Sequence, residues 1–318
     1  MEYRTLGKSG LSVSRLCFGT LTVGPLQADL PPEQGAEVLS YAFEKGINFL
    51  DTAQYYRNYP TIALALKQCR EREKIIVSTK TYAYTRQLAE EAFEQARRSL
   101  DRDVIDIFML HEQESIHTLR GHAEALDFLF EQREKGRIRA VGASMHHIAA
   151  VEGVCSILRD FDVIHPLYNL TGLGIADGTR EQMGIAIEKA HARGIGVFTM
   201  KALGGGNLFA SAADAFSFVL SDPNVDAVAV GMQSADEVDA NIGFFENGCF
   251  SKEASQTLAG KKRRLFIEDY CSGCGRCVER CGQNALSLQN GASVCDEDRC
   301  LLCGYCAAVC PDFAIKVL

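Results

Sequence analysis

Short apolar runs alternate with longer amphipathic stretches over most of the chain. Eight runs stand out: "RLCFG" (15–19), "INFLDT" (47–52), "KIIVSTK" (74–80), "VIDIFMLH" (104–111), "IRAVGAS" (138–144), "VIHPLYN" (163–169), "IGVFTMK" (195–201) and "AVAVGM" (227–232). They are rich in Val, Ile and Phe and mostly lack strict alternation, the pattern of parallel strands covered on both faces. The stretches between them read as helices. In "TRQLAEEAFEQARRS" (85–99), Thr85 is a cap-like start, and Leu88, Ala92, Phe93 and Ala96 are expected on the buried face. Eight strand–helix units in about 230 residues predict an α/β fold, a (β/α)8 TIM barrel. A doubly wound sheet is the competing arrangement, but no Gly-x-Gly-x-x-Gly follows the first run. Ahead of that run, "YRTLGKSGLSVS" (3–14) reads as a hairpin able to plug the bottom of the barrel.

The pattern divides the chain into a barrel over residues 1–250, a connecting segment over 251–265 and a small α+β domain over 266–318. The connecting helix, roughly 252–263, carries the basic run "KKRR" (261–264), expected to be a solvated helix end that suits the helix dipole.

A barrel carries its chemistry at the C-terminal ends of its strands. Asp51 closes the second run, Lys80 the third and His111 the fourth, and Tyr56 follows Asp51 on the same rim. Together they form a proton-donor site. Lys80 beside Tyr56 is expected to lower the phenol's pKa, with Asp51 holding Lys80 and His111 orienting a carbonyl oxygen. After the seventh run, "KALGGG" (201–206) offers Lys201 and the amides around Gly204 and Gly205 as a phosphate cradle, or else only a tight turn.

Composition narrows the setting. The chain has 318 residues and a formal net charge of −8. That balance argues against nucleic acid or an anionic membrane as the main partner and leaves a small-molecule substrate. No apolar stretch is long enough for a membrane span, and the polar start "MEYRTLGKSG" points to a cytoplasmic protein. Thirteen cysteines would suggest disulfides, but eight lie between Cys271 and Cys310 at metal-ligand spacing, so a reducing setting is expected. Cys17, Cys69, Cys155 and Cys249 read as inert thiols, while Cys295 stands five residues before Cys300 and is the one expected to approach a cluster.

The eight cysteines form two runs, Cys271, Cys274, Cys277 and Cys281, then Cys300, Cys303, Cys306 and Cys310. Each is followed by a short turn and a strand-like segment, "GQNALSL" (282–288) and "PDFAIKV" (311–317). The segment 266–318 resembles the bacterial two-cluster ferredoxins. There the fourth cysteine of each run serves the other cluster. The resemblance therefore implies one 4Fe–4S cluster on Cys271, Cys274, Cys277 and Cys310, and a second on Cys300, Cys303, Cys306 and Cys281. Pro311 follows the second run as in that family, whereas Gly282 follows the first. Zinc is the alternative reading of such runs.

In the barrel, "GINFLDTAQYY", "IIVSTK", "IDIFMLH" and "GRIRAVGAS" resemble the signature segments of the aldo-keto reductases over about residues 1–246. The resemblance is to the subgroup with a C-terminal ferredoxin-like module. It implies carbonyl reduction with a nicotinamide cofactor and a tetrad of Asp51, Tyr56, Lys80 and His111, with Tyr56 as the acid.

The cofactor cradle departs from that family's pattern. Ser144 is kept after the fifth strand, but Met145 stands where Asn is usual, and His165 matches a usual Gln. Met200 stands at the stacking aromatic, and Met232 and Glu237 at the Lys and Arg that hold a 2′-phosphate. Ala240 replaces the adenine-contacting Glu, and Asn241 alone survives beside it. Losing both cations and gaining a carboxylate makes NADPH preference unexpected, while NAD(H) or a flavin stays open. Three readings compete. The clusters relay electrons to the barrel from a redox partner protein, NAD(H) reduces a carbonyl beside structural clusters, or the barrel is a scaffold for redox partners.

Overall fold

The computed structural model describes residues 1–259, 263–300, 302 and 304–318. Cys303 and the first two residues of the basic run, Lys261 and Lys262, lie outside the described residues.

The eight apolar runs become eight parallel strands: β1 (Leu16–Gly19), β2 (Phe49–Asp51), β3 (Ile76–Thr81), β4 (Ile105–Gln113), β5 (Ile138–Met145), β6 (Val163–Pro166), β7 (Gly196–Thr199) and β8 (Ala227–Gly231). They close into a barrel in sequence order, β8 pairing with both β7 and β1. A helix follows each strand, from Pro32–Glu44 after β1 to Ala235–Asn247 after β8. One strand face fills the barrel and the other meets the helices, which is why the runs read as continuously apolar. The interior set includes Cys17, Phe49, Ile76, Ile107, Met109, Val163 and Phe198. The outer set, with Phe18, Leu50, Val77, Phe108, Val141 and Ile164, packs under the helices.

The N-terminal hairpin pairs Tyr3–Thr5 with Ser12–Ser14, and its Leu6, Leu11 and Val13 join the interior set as a bottom plug. The helix after β3 runs Arg86–Leu100, with the Thr85 hydroxyl accepting from the Leu88 amide at 3.3 Å. Its buried face is Ala89, Ala92, Phe93, Ala96 and Leu100. Leu88, expected inside, is exposed, because Ala89 and not Leu88 continues the four- and seven-residue steps through Phe93 and Ala96.

The C-terminal module contains β9 (Leu265–Ile267), β10 (Leu286–Gln289), β11 (Ala292–Cys295) and β12 (Ile315–Val317). Antiparallel pairing joins β9 to β12 and β10 to β11. Among the described residues no helix is long and apolar enough to cross a membrane.

Candidate active site

Strand periodicity lifts the polar residues to the rim. Asp51 is two residues beyond Phe49, Lys80 four beyond Ile76, His111 two beyond Met109 and His165 two beyond Val163, all on the face that fills the barrel below. Lys80 Nζ donates to both Asp51 carboxylate oxygens at 2.7 Å and to the Thr52 carbonyl at 2.8 Å. Those three acceptors use all three ammonium protons. Tyr56 sits on the turn Gln54–Tyr56, with its ring centroid 5.2 Å from Lys80 Nζ and its ring 5.7 Å from His111 in an edge-on contact. His165 lies flat on Phe198, with ring centroids 4.0 Å apart. Its Nδ1 is 2.6 Å from the Phe198 carbonyl, and its Nε2 is 3.4 Å from Asp51.

Burial pushes the Asp51 carboxyl up, but Lys80 and His165 outweigh it and hold the group far below the ordinary carboxylate range. The expectation that Lys80 lowers the Tyr56 pKa is overturned. Burial raises the phenol well above its ordinary value, and the Asp51 and Glu112 charges raise it further. The physical reason is local: Asp51 neutralises Lys80, so Tyr56 experiences burial and the carboxylates instead of a free cation. Burial, then Lys80, pushes the His111 imidazole well below its ordinary value, and its buried Nδ1 has no hydrogen-bond partner. The rim thus holds a protonated phenol beside a neutral imidazole with an unspent ring nitrogen.

Three neighbours complete the rim. The Tyr82 ring stacks on His111 at 4.4 Å and 24°, and its hydroxyl donates to Glu112 at 2.5 Å. Glu112 has φ +48, where the β4–β5 register shifts between Leu110 and Gln113. Its amide donates to Ser144 Oγ at 2.9 Å.

Tyr56, His111, Tyr82 and Asp51 open into a cavity of about 990 Å³. His165, Met200, Lys201 and Gly205 line it too, whereas Ser144, Gly204 and Asn241 do not. Its outer wall comes from the module: Glu268, Tyr270, Asp312, Phe313, Lys316 and Val317. The glycine loop after β7 carries that wall. A Cβ on Gly206, at φ +88, would stand 1.9 Å from the Val317 carbonyl oxygen, so only glycine lets β12 rest there. Asn207 Nδ2 donates to the Ile315 carbonyl at 3.2 Å. The amides of Gly204, Gly206, Asn207 and Leu208 all donate within the loop, to Lys201, Leu203 or Gly204 carbonyls. These four amides are spent and are not available to a phosphate.

In the module, Cys271, Cys274, Cys277 and Cys310 ring one hollow, and Cys281, Cys300 and Cys306 ring another. Among the described residues no three metal-binding groups converge on one point as a single ion requires. The two halves repeat in backbone detail. Asn284 and Phe313, three residues after the last cysteine of each run, have φ +51 and +49. The next amide, of Ala285 or Ala314, donates to Cys281 or Cys310 Sγ at 3.3 Å in each half. These donors suit a charged thiolate ligand, so the crossed sets fit two cuboidal clusters. Cys295 lies against Cys300; burial, then Cys300, pushes its thiol up to about 12.

Residues 15–216 match the model of the Aldo/keto reductase family, about two thirds of the chain. The chain belongs to the aldo/keto reductase family. Residues 270–314 match a 4Fe-4S dicluster domain, which follows the barrel. Aldo-keto reductase YhdN of Bacillus subtilis (strain 168) is 26% identical over 185 residues, covering 54% of each chain. Methylglyoxal reductase DkgA of Escherichia coli (strain K12) is 24% identical over 178 residues, covering 54% of this chain and 64% of its own. The chain thus spans between half and two thirds of the length of these curated relatives. In fold it is similar to aldo-keto reductase AKR11C1 from Bacillus halodurans, with a TM-score of 0.66 at 23% identity, covering 81% of this chain and 95% of that one.

Sequence reasoning did not single out Tyr82, Glu112, Phe313 and Lys316 of this cavity. Tyr82 had a signal, standing two residues beyond Lys80 at the same strand end. The module residues had none, because nothing in "PDFAIKV" points to the mouth of a barrel.

Proposed function

We propose that this chain reduces a carbonyl compound at the Tyr56–His111 rim, with the clusters of its module as the electron source. The observation that carries the reading is the shared wall. Tyr270, Asp312 and Phe313, which adjoin the cluster ligands Cys271 and Cys310, line the same cavity as Tyr56 and His111. Cys271, Cys274, Cys277 and Cys310 would hold one cluster, and Cys281, Cys300, Cys303 and Cys306 the other. When bound, such clusters supply electrons one at a time. A redox partner protein that refills them belongs with this reading.

Reducing C=O to CH–OH consumes two electrons and two protons, one delivered to oxygen by Tyr56 and one taken up at carbon from solvent. Tyr56 is kept protonated by burial, so it meets a carbonyl oxygen as a hydrogen-bond donor and gives up its proton as charge grows there. Neutral His111 orients the same oxygen through a ring N–H. Asp51 and Lys80 stand beside the Tyr56 ring as a neutralised pair, so the phenolate is not held and is reprotonated from solvent.

A second reading keeps NAD(H) as reductant, favoured by the reach of the cavity to Gln233 and Glu237 beyond β8. The Glu237 carboxylate accepts from the Gln233 amide at 2.7 Å there, which disfavours a 2′-phosphate. The deciding experiment adds an aldehyde to the anaerobically reduced holoprotein and follows cluster absorbance. Reoxidation that slows about a hundredfold in Tyr56→Phe is expected. NADH consumption with the clusters left reduced favours the second reading, and an unchanged rate in Tyr56→Phe leaves only a scaffold.

A further inference from the structure

The cavity holds a second pair of cations that the carbonyl chemistry does not use. Lys201 follows β7 and is partly buried, with φ +59, and Lys316 projects from β12 of the module and is 3% exposed. Both face Phe313, with their Nζ atoms 4.8 and 3.4 Å from its ring centroid. Lys316 also donates to the Phe313 carbonyl. Among the described residues neither ammonium forms an ion pair. The carboxylates facing them are Glu112 and Glu268. Glu112 is engaged by the Tyr82 hydroxyl, and burial pushes the Glu268 carboxyl up while Lys316 and Lys201 pull it down. Burial, then the Lys201 charge, leaves Lys316 with a depressed pKa, and burial depresses that of Lys201. Holding a proton on both ammonium groups in one cavity is costly, so Lys316, pushed down to about 6, takes up its proton when a ligand brings the opposite charge.

We propose that Lys201 and Lys316 together bind a carboxylate of the substrate, so that the carbonyl compound reduced at Tyr56 is a short oxo acid. The proposal rests on the carbonyl-reductase reading and specifies its substrate class. Phosphate, the other anion two lysines could hold, has less support, because the amides of Gly204, Gly206, Asn207 and Leu208 are spent on loop carbonyls. The site is split between the barrel and the module. Neither lysine alone makes it, so substrate recognition depends on β12 resting on Gly205 and Gly206, where Lys316 Cδ would lie 2.7 Å from a Cβ on Gly205.

The test measures binding to the cluster-loaded, full-length protein by calorimetry, without turnover. The probes are oxalate, its neutral isostere oxamide, and inorganic phosphate. Oxalate is expected to bind and oxamide to bind at least tenfold more weakly. Lys316→Gln and Lys201→Gln should each weaken oxalate at least tenfold. Cluster absorbance and circular dichroism confirm that the variants are folded, and Lys201→Arg, on the more open side, should recover most of the affinity. Equal binding of oxalate and oxamide, or oxalate affinity unchanged in both Gln variants, overturns the proposal. Phosphate binding tighter than oxalate and lost in both variants also overturns it, in favour of a cofactor phosphate. In turnover, the preference for an oxo acid over its neutral amide should fall at least tenfold in Lys316→Gln. Because oxalate binding needs no Tyr56, a failed Tyr56→Phe test and a failed oxalate test are separate results.

Discussion

Lys80 and Lys316 are both buried at the same cavity, 1% and 3% exposed, and their surroundings are opposite. Lys80 spends its three protons on two carboxylate oxygens and a carbonyl. Lys316 has one carbonyl and an aromatic face, and burial with the Lys201 charge pushes it down to about 6. Burial alone does not set the state of a lysine; the partners built around it do. The barrel has finished its own electrostatics at the tetrad, whereas the joint between barrel and module leaves a charge to be met from outside.

The comparison can be broken from either side. Asp51→Asn turns Lys80 into a buried cation without its counter-charge, and the protein should lose about 3 kcal/mol of stability in denaturant unfolding. Gly206→Ala forces β12 off the loop and Lys316 away from Lys201. The left-handed backbone and the clash with the Val317 carbonyl should cost roughly 2 kcal/mol in denaturant unfolding. Lys316→Met removes the unmatched charge and should stabilise the protein by roughly 1 kcal/mol at pH 6.

That last gain has a defined pH course. The lysine is near its ordinary 10.5 when unfolded and about 6 when folded, so between those values the unfolded chain binds the extra proton and stability rises with pH. The advantage of Lys316→Met should therefore be complete below about pH 6 and fade as pH approaches 10.5. The groups that set this course are Lys201, Glu268, Cys310 and Glu112. Unfolding midpoints of the two proteins across that range check it.

Much of the barrel was legible because each strand is covered twice and so reads as an apolar run. Asp51 and His111 were legible for a related reason: they are the first polar residues on faces that are apolar below, while Lys80 was legible as the cation closing its run. Leu88 shows the limit, since a helix face slips by one residue when two apolar neighbours compete for it. The rise in the Tyr56 pKa was not legible, because it depends on Lys80 being neutralised by a partner from another strand. The glycine loop misled for a similar reason. "KALGGG" looks like a cradle until β12, more than a hundred residues later, is seen to need those glycines. Lys316 carried no signal at all, because its meaning comes from a contact between two domains.

The pairing of β9 with β12 has a mechanical consequence. The segment entering the module and the segment leaving it are hydrogen-bonded side by side at the barrel mouth. A domain hung on one strand of chain can swing aside like a door on a hinge. Here a swing would have to peel β12 from Gly206, so the wall acts as a riveted plate and traffic into the cavity must pass around its edges.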